Sequence, residues 1–175
     1  MFAGWEGDLR GSQNPAILTM DAHKNVKAVF KPDPNAPRLL SQGRRVTVSS
    51  EEKGGFTGDK AVDGRLQTRW STAFSDPQWI CVDLGKEMRI EAVQLHWETA
   101  CASRYELQTS NDGKKWTVLH AQNNGQGQVE EISGLNGLGR YVRLWGLERA
   151  TDWGYSLWEF EVYGRDAQAN DMPER

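Results

Sequence analysis

The chain has 175 residues, and its 21 Lys and Arg against 24 Asp and Glu give a formal net charge of −3. This charge excludes recognition of nucleic acid or of a membrane surface through bulk positive charge, so a partner must be bound through shape and specific contacts. The length suits one medium-sized domain with additional segments, no apolar run approaches the roughly 20 residues of a membrane helix, and the N-terminus lacks the pattern of a signal peptide.

The first 31 residues differ in pattern from the rest of the chain. We predict short strands at ILTM (17–20) and VKAVF (26–30), which would pack poorly alone. The three prolines of KPDPNAP predict a stiff, extended connector. The polar C-terminal stretch has no apolar pattern and is expected to be disordered. The predicted segments are a partial repeat or spacer (1–31), a linker (32–38), the main domain (39–165) and a tail or linker stub (166–175).

Short alternating runs bounded by Gly, Asp and Asn recur between residues 46 and 163, which is typical of a sandwich or barrel. QWICVDLG predicts one strand that ends at Gly85, and IEAVQLHW predicts a second. YELQTS and KKWTVLH predict a hairpin, because the Asp112-Gly113 pair between them readily adopts a tight turn. Further strands are predicted at QVEEI, RYVRLWG and SLWEFEVYG. The sequence therefore predicts an all-β protein rich in loops.

Three blocks carry a family resemblance, in this order: AVDGRLQTRWSTAFSDPQWICVDLG, LHWETACASRYELQTSNDGKKWTVL and RYVRLWGLERATDWGYSLWEFEVYG. Over residues 39–165 the chain resembles the discoidin, or coagulation factor V/VIII C-type, fold and more narrowly carbohydrate-binding module family 32. The resemblance implies a discoidin-like, eight-stranded antiparallel jelly-roll β-sandwich that binds its ligand through loops at one end and has no catalytic machinery. Residues 1–31 are similar to the C-terminal part of a bacterial surface-protein β-repeat.

Side chains suited to a sugar occur in the loops of this domain. A pyranose has an apolar C–H face and a rim of hydroxyls, so it needs an aromatic platform and a few fixed, preferably charged, polar groups. By the resemblance, the arginine and one of two adjacent glutamates would bind hydroxyls, a further glutamate would accept another hydrogen bond, and aromatic rings would stack. The candidate residues are Glu51, Glu52, Arg69, Phe74, Glu98, Trp153 and Tyr155.

Three of the candidates also have an ordinary structural interpretation. Arg69 would otherwise pair with a nearby acid, Phe74 would pack within its loop, and Glu98 would be a solvated strand end. Trp153 and Tyr155 lie in a Gly-containing loop, where an exposed aromatic side chain favours ligand contact. Four other tryptophans lie within or beside strand patterns and are expected mainly in the core: Trp70, Trp79, Trp97 and Trp158.

The segment DKAVDGRLQTRW (59–70) is a candidate cation site. A tight Asp-Gly loop turns backbone carbonyls inward beside carboxylates, which is the hard oxygen environment that Ca²⁺ prefers. The family that the chain resembles commonly holds a structural Ca²⁺ here, although an arginine replaces its usual asparagine. An ordinary turn at Asp63-Gly64 is the alternative. The ligands implied are the carbonyls of Lys60 and Arg65 and the side chain of Asp63, with Thr68 and Glu159.

No catalytic constellation is evident. Glu159 and Glu161 are two residues apart on a strand, a spacing that arises easily by chance and does not by itself indicate a glycosidase pair. The histidines at 23, 96 and 120 are scattered and accompany no nucleophile motif. Cys81 and Cys101 permit either one disulfide or two buried thiols. We therefore expect a protein that is not an enzyme.

We interpret the chain as a non-catalytic carbohydrate-binding module of a secreted, extracellular bacterial enzyme, either a glycoside hydrolase or a polysaccharide lyase. It would be a monomer, linked covalently to a catalytic domain, with an oligosaccharide or polysaccharide as its partner. The acids around one arginine favour neutral or cationic glycans, namely β-glucan, mannan or chitosan-type oligosaccharides. The alternatives are a galactose-containing glycan such as agar, an alginate glycan if Arg69 dominates the local charge, or a cell-surface adhesion or protein-interaction discoidin domain.

Overall fold

The computed structural model describes residues 1–33, 35–168 and 171 of the chain. They form two compact units, Met1–Ala36 and Pro37–Arg175. Within the segment predicted to be a disordered tail, Asp166 belongs to the last strand, and both carboxylate oxygens of Asp171 accept hydrogen bonds from Arg165 at 2.7 and 2.9 Å. Residues 169, 170 and 172–175 of that predicted tail lie outside the described residues.

The first unit contains a pair of antiparallel strands, β1 (Phe2–Gly7) and β2 (Val26–Phe30). The strand predicted at VKAVF is confirmed as β2. The strand predicted at ILTM is wrong: residues 17–20 are not in a strand, and Ile17 is 93% exposed. The partner of β2 is β1 instead, and the Phe2 and Phe30 rings contact each other across the pair with centroids 5.9 Å apart.

The second unit is built almost entirely of antiparallel strands, which confirms the predicted all-β sandwich. Its strands are β3 (Arg38–Leu39), β4 (Arg45–Val48), β5 (Trp70–Ser71), β6 (Gln78–Trp97), β7 (Ala102–Ser110), β8 (Thr117–Gln122), β9 (Val129–Ile132), β10 (Gly137–Arg149) and β11 (Ser156–Asp166). A short 3₁₀ turn at Gly58–Ala61 lies between β4 and β5. The order of hydrogen-bonded strands is β3-β11-β6-β10-β7-β8, with β4 and β9 also pairing with β6, and β5 with β11.

Strand β6 corrects the prediction of two separate strands. It runs for 20 residues through Gly85, which has a φ of 86° and donates its N–H to the Asp83 carboxylate at 2.8 Å. The part before Gly85 pairs with β4 and β10, and the part after it pairs with β9, with β11 and, at residues 88–90, again with β10. The glycine therefore bends the strand without ending it, since both halves keep hydrogen-bonding partners.

The core follows the alternation read from the sequence. Ile80 and Val82 of β6 and Phe160 and Val162 of β11 are fully buried, as their shared faces predict. Complete burial of such a side chain stabilises the fold by about 1.5–3 kcal/mol. The predicted hairpin is confirmed as the antiparallel pair β7–β8, with Gly113 at a φ of 69° in its turn.

The two cysteines are free and buried. Burial raises the pKa of the Cys81 thiol to about 11, so this group is a poor nucleophile at neutral pH. Among the described residues, no helix has the length and apolar character needed to cross a membrane.

Candidate functional site

Loops from several strands meet at one end of the second unit, where backbone hydrogen bonds fasten them together. The Glu52 N–H, after β4, donates to the Ser71 carbonyl at the end of β5 at 2.8 Å. The Glu98 N–H, after β6, donates to the Ser156 carbonyl at the start of β11 at 3.0 Å. Because these bonds link segments far apart in sequence, the rim is preorganised by the sandwich itself.

The converging loops enclose a depression of about 380 Å³, which lies within the size range of small-ligand sites. Five of the seven predicted sugar-binding residues line it, and Glu51 and Tyr155 do not. Its lining residues are Glu52, Arg69, Ser71, Phe74, Glu98, Thr99, Ala100, Trp153 and Ser156. We call this depression the loop-end site.

Arg69 is held in the loop-end site by aromatic rings. Its guanidinium carbon lies 4.1 Å from the Phe56 ring centroid and 5.4 Å from that of Trp158. Its Nε is buried without a hydrogen-bond partner, and none of the ion pairs within the described ranges includes this arginine. Stacking on ring faces positions a guanidinium without consuming its N–H donors. The salt-bridge interpretation of Arg69 is therefore not realised, and the group can donate to a ligand.

Two carboxylates accompany this arginine. Glu52 accepts a hydrogen bond from the Ser71 hydroxyl at 2.7 Å, and Glu98 accepts one from the Ala100 N–H at 3.1 Å. Each bond fixes one oxygen of the carboxylate and leaves the other as a free acceptor. Glu51 instead accepts the Gly58 N–H at 2.9 Å and lies outside the depression. Of the two adjacent glutamates, Glu52 is thus the one that a ligand would meet.

The exposed aromatic surface of the site consists of Phe74 and Trp153. Their rings pack edge to face with centroids 5.5 Å apart, and they are 47% and 61% exposed. Tyr155 is only 1% exposed, so the expectation that its ring stacks on a ligand is corrected. Of the three candidate aromatic residues, Phe74 and Trp153 are therefore the two whose rings are exposed in the depression.

Tyr155 supports the platform from below. Its hydroxyl donates to the Asp76 carboxylate, which also pairs with Arg149 at 3.2 Å. The same Arg149 donates to the carbonyls of Asp152 and Trp153 at 3.1 and 3.2 Å. Burial, followed by the Asp76 contact, raises the pKa of Tyr155, so the hydroxyl keeps its proton and remains a donor. This network holds the loop that carries Trp153.

Two residues at this end of the domain are not predicted as site residues from the sequence. Ser156 is 1% exposed and its hydroxyl has no hydrogen-bond partner, although the residue lines the loop-end site. The sequence predicts Trp158 mainly in the core, but it is only partly buried and lies against Arg69. A register shift between Leu157 and Glu159 interrupts the alternation of β11, and the sequence gives no signal of that shift.

The segment 59–70 brings its predicted carboxylates together. The Gly64 and Arg65 N–H groups both donate to the Glu159 carboxylate at 2.8 Å, and the Thr68 hydroxyl donates to Asp63 at 2.8 Å. Glu159 is 4% exposed, and this burial, with a smaller contribution from the Asp63 charge, raises its pKa to about 7.

The buried Glu159 carboxylate beside the partly buried Asp63 carboxylate suits a hard cation, since a cation would relieve desolvation and repulsion. No cluster of three or more His, Cys, Asp or Glu side chains suited to a metal occurs in the part of the chain that is described. A cation would therefore depend also on backbone carbonyls such as those of Lys60 and Arg65. The Lys60 ammonium lies 3.9 Å from the Asp63 carboxylate and provides the nearest positive charge.

Comparisons with known proteins agree with this architecture. The F5/8 type C domain family model matches residues 45–160. The polysaccharide lyase 8 family protein HylA of Enterococcus faecalis is 35% identical over 118 residues, which cover 62% of this chain. The chain spans only 8% of the length of that curated relative.

Solved structures with similar folds include several sugar-binding modules. Chitosan-binding module 1 of a chitosanase/glucanase from Paenibacillus sp. IK-5 is 43% identical, with a TM-score of 0.70 over 73% of this chain and 99% of the module. Module 2 of that enzyme, solved with chitotriose, is 42% identical with a TM-score of 0.70 over 71% and 99%. CpGH89CBM32-5 from Clostridium perfringens, solved with GalNAc-β-1,3-galactose, is 25% identical with a TM-score of 0.64 over 71% and 99%.

Proposed function

The chain belongs to the F5/8 type C domain family, and from this premise we propose that it is a carbohydrate-binding module whose loop-end site binds chitosan-type oligosaccharides. The observation that carries the proposal is the convergence of Glu52, Arg69 and Glu98 beside the Phe74–Trp153 pair. The chitosan-binding modules that are 42–43% identical to this chain support the same ligand class.

Charge favours an amino sugar among the candidate glycans. The loop-end site contains two carboxylates and one guanidinium, so its formal charge is negative. A glucosamine unit offers an ammonium group and several hydroxyls, and hydrogen bonds to charged groups contribute about 1.5–3 kcal/mol each. The carboxylates would accept from the ammonium, whereas they would repel the acidic sugars of alginate.

Each side chain would have a distinct part in binding. The exposed faces of Phe74 and Trp153 would cover the apolar face of the pyranose, and the Arg69 N–H groups would donate to hydroxyl oxygens. Glu52 and Glu98 would accept from the ammonium or from hydroxyls. A shallow site of this kind is expected to bind with a Kd in the micromolar to millimolar range, about −8 to −4 kcal/mol.

Weak binding is sufficient for a targeting role. We infer that the module is non-catalytic and belongs to a secreted bacterial polysaccharide-degrading enzyme, in keeping with the lyase and the chitosanase/glucanase that contain similar modules. Attachment to a catalytic domain raises the effective concentration of substrate at that domain, so modest affinity gives useful avidity.

Titration against a panel of oligosaccharides tests the ligand class. We expect glucosamine oligomers to bind at least about ten-fold more tightly than gluco-, galacto- or alginate oligomers, because only they carry the ammonium group. Glu98→Gln should weaken glucosamine binding by about ten-fold or more. Isothermal calorimetry would measure both effects.

Glu6→Gln is the matched control, since Glu6 is an exposed acid of the first unit that pairs with Lys27. It should leave affinity unchanged. Tighter binding of a galactose or alginate oligomer than of glucosamine oligomers would reject the proposal.

We further propose that segment 59–70 holds a structural Ca²⁺, which would fasten the loop without taking part in any reaction. The support is chemical: oxygen ligands from one tight loop lie beside the buried Glu159 of β11, whose pKa is raised to about 7 by burial. The groups that would hold it are the carbonyls of Lys60 and Arg65, the side chain of Asp63, Thr68 and Glu159.

Calcium is expected to raise the melting temperature of the full chain. At a concentration about 100-fold above Kd, the ion should stabilise the folded state by about 3 kcal/mol, or roughly 5–10 °C. Glu159→Gln should remove this response but preserve the acceptor oxygen that receives the loop N–H groups. Glu161→Gln, two residues along the same strand, should keep it. Identical melting curves with Ca²⁺ and with chelator would refute the proposal.

A further inference from the structure

The loop-end site continues into two further depressions. A second depression, of about 470 Å³, shares Glu98 and Thr99 with the loop-end site, and Trp158 lies in its wall. A third, of about 680 Å³, shares residues 126–128 with the second. Because each depression shares lining residues with the next, the second borders both the first and the third.

The loop between the second and third depressions is fixed by two glycines. A Cβ on Gly125 would lie 2.2 Å from the Ala102 carbonyl oxygen. A Cβ on Gly127 would lie 2.9 Å from the Cys101 sulfur, and Gly127 also has a φ of 70°. Only glycine allows this close approach to the start of β7. The loop is therefore held against the domain and presents its amide side chains outward.

Gln128 lies between the second and third depressions and has an unfavourable backbone conformation. Its φ is 63°, and it is the sole non-glycine residue with a positive φ within the described ranges. Its carbonyl accepts the Trp97 backbone N–H at 2.7 Å, while the residue itself is exposed and lines both depressions. A glutamine where glycine would be less strained indicates that the side chain has a use.

The chemistry of the groove suits an extended amino-sugar chain. Glu98 serves the first two depressions, and the exposed Glu131 lines the third. His120 also lines the third, and its Nε2 is buried without a hydrogen-bond partner. The amides and carboxylates supply the acceptors and donors that successive sugar units need, and Trp158 contributes apolar surface to the second depression.

We propose that the three depressions act as one groove that binds a linear glucosamine chain longer than three units, with Gln128 as the contact between the second and third depressions. The inference rests on the proposed function of the loop-end site and extends it from a short oligosaccharide to a polymer. Longer ligands should gain affinity because each added unit reaches groups that a disaccharide does not.

Calorimetric titration with glucosamine oligomers of two to six units tests the groove. We expect the hexamer to bind at least about five-fold more tightly than the trimer, as one or two additional hydrogen bonds would give. Gln128→Gly should remove that gain but leave disaccharide affinity unchanged. The melting temperature should stay the same or rise, because glycine takes this φ without strain.

Asn123→Gly is the matched control: Asn123 is an exposed amide of the same loop that lines none of the three depressions. The Asn123→Gly variant should keep the increase in affinity from the trimer to the hexamer. Glu131→Gln gives a second variant, expected to lower hexamer but not disaccharide affinity. Equal affinities of trimer and hexamer would overturn the groove while leaving the loop-end site intact. No binding at any length would instead overturn the proposed function, and the groove with it.

Discussion

Arg69→Ala is expected to weaken binding of glucosamine oligomers at least about 30-fold. The wild-type guanidinium is positioned over Phe56 at 4.1 Å and has no carboxylate partner within the described residues, so its donors are free for the ligand. Two charge-assisted hydrogen bonds of about 1.5–3 kcal/mol each would be lost. The remaining Glu52 and Glu98 would attract a cationic sugar more strongly, but exposed charge pairs contribute only about 0.2–1 kcal/mol. The lost hydrogen bonds therefore decide the outcome.

Two further variants complete the test: one keeps the charge at residue 69 but changes the shape of the group, and the other removes an arginine elsewhere on the surface. Arg69→Lys keeps the charge but lacks the planar group that stacks on Phe56, so we expect it to lose about ten-fold in affinity. Arg104→Ala removes an exposed arginine that pairs with Glu148 at 3.5 Å, and it should bind normally. Calorimetry with the hexamer measures all three variants, and their melting curves verify folding. Wild-type affinity in Arg69→Ala would exclude this arginine from the binding site.

The resemblance to a family was sufficient to locate most of the loop-end site, because that fold brings the same loops together whatever their detailed sequence. The resemblance does not decide between Glu51 and Glu52. That choice depends on pairing between distant segments: the Glu52 N–H donates to the Ser71 carbonyl, and the Glu52 carboxylate accepts a hydrogen bond from the Ser71 hydroxyl. An adjacent glutamate has opposite orientation along an extended chain, so a one-residue uncertainty in alignment exchanges the two.

The prediction of an exposed Tyr155 ring is wrong for a related reason. Its neighbours suggest an exposed loop, but Gly146 of β10 leaves room for the ring, and a Cβ at that glycine would lie 2.7 Å from it. Local sequence cannot reveal which distant strand provides such a space. Alternation within strands, in contrast, is a local property, and it predicted the buried faces of β6 and β11 correctly except at the register shift before Glu159.

Tyr155→Ala is expected to cause the largest loss of stability among the substitutions considered. The side chain is 1% exposed, and removal of a buried aromatic ring costs about 3–5 kcal/mol. For a chain of this size the melting temperature should fall by about 10 °C. Affinity should fall as well, because the buried network includes Asp76 and Arg149, which hold the loop of Trp153.

Tyr155→Phe distinguishes support from direct contact with the ligand. It keeps the ring but removes the hydroxyl that donates to Asp76, so we expect a smaller loss of stability, about 1–2 kcal/mol, and a few-fold loss of affinity. Urea unfolding and calorimetric titration of both variants provide the measurements. A stacking residue would behave differently: alanine would abolish binding with little effect on unfolding, and phenylalanine would bind normally. That pattern would make Tyr155 a residue that stacks on the ligand. Parallel losses of stability and affinity would instead show that Tyr155 acts by positioning Trp153, which forms the surface that the sugar contacts.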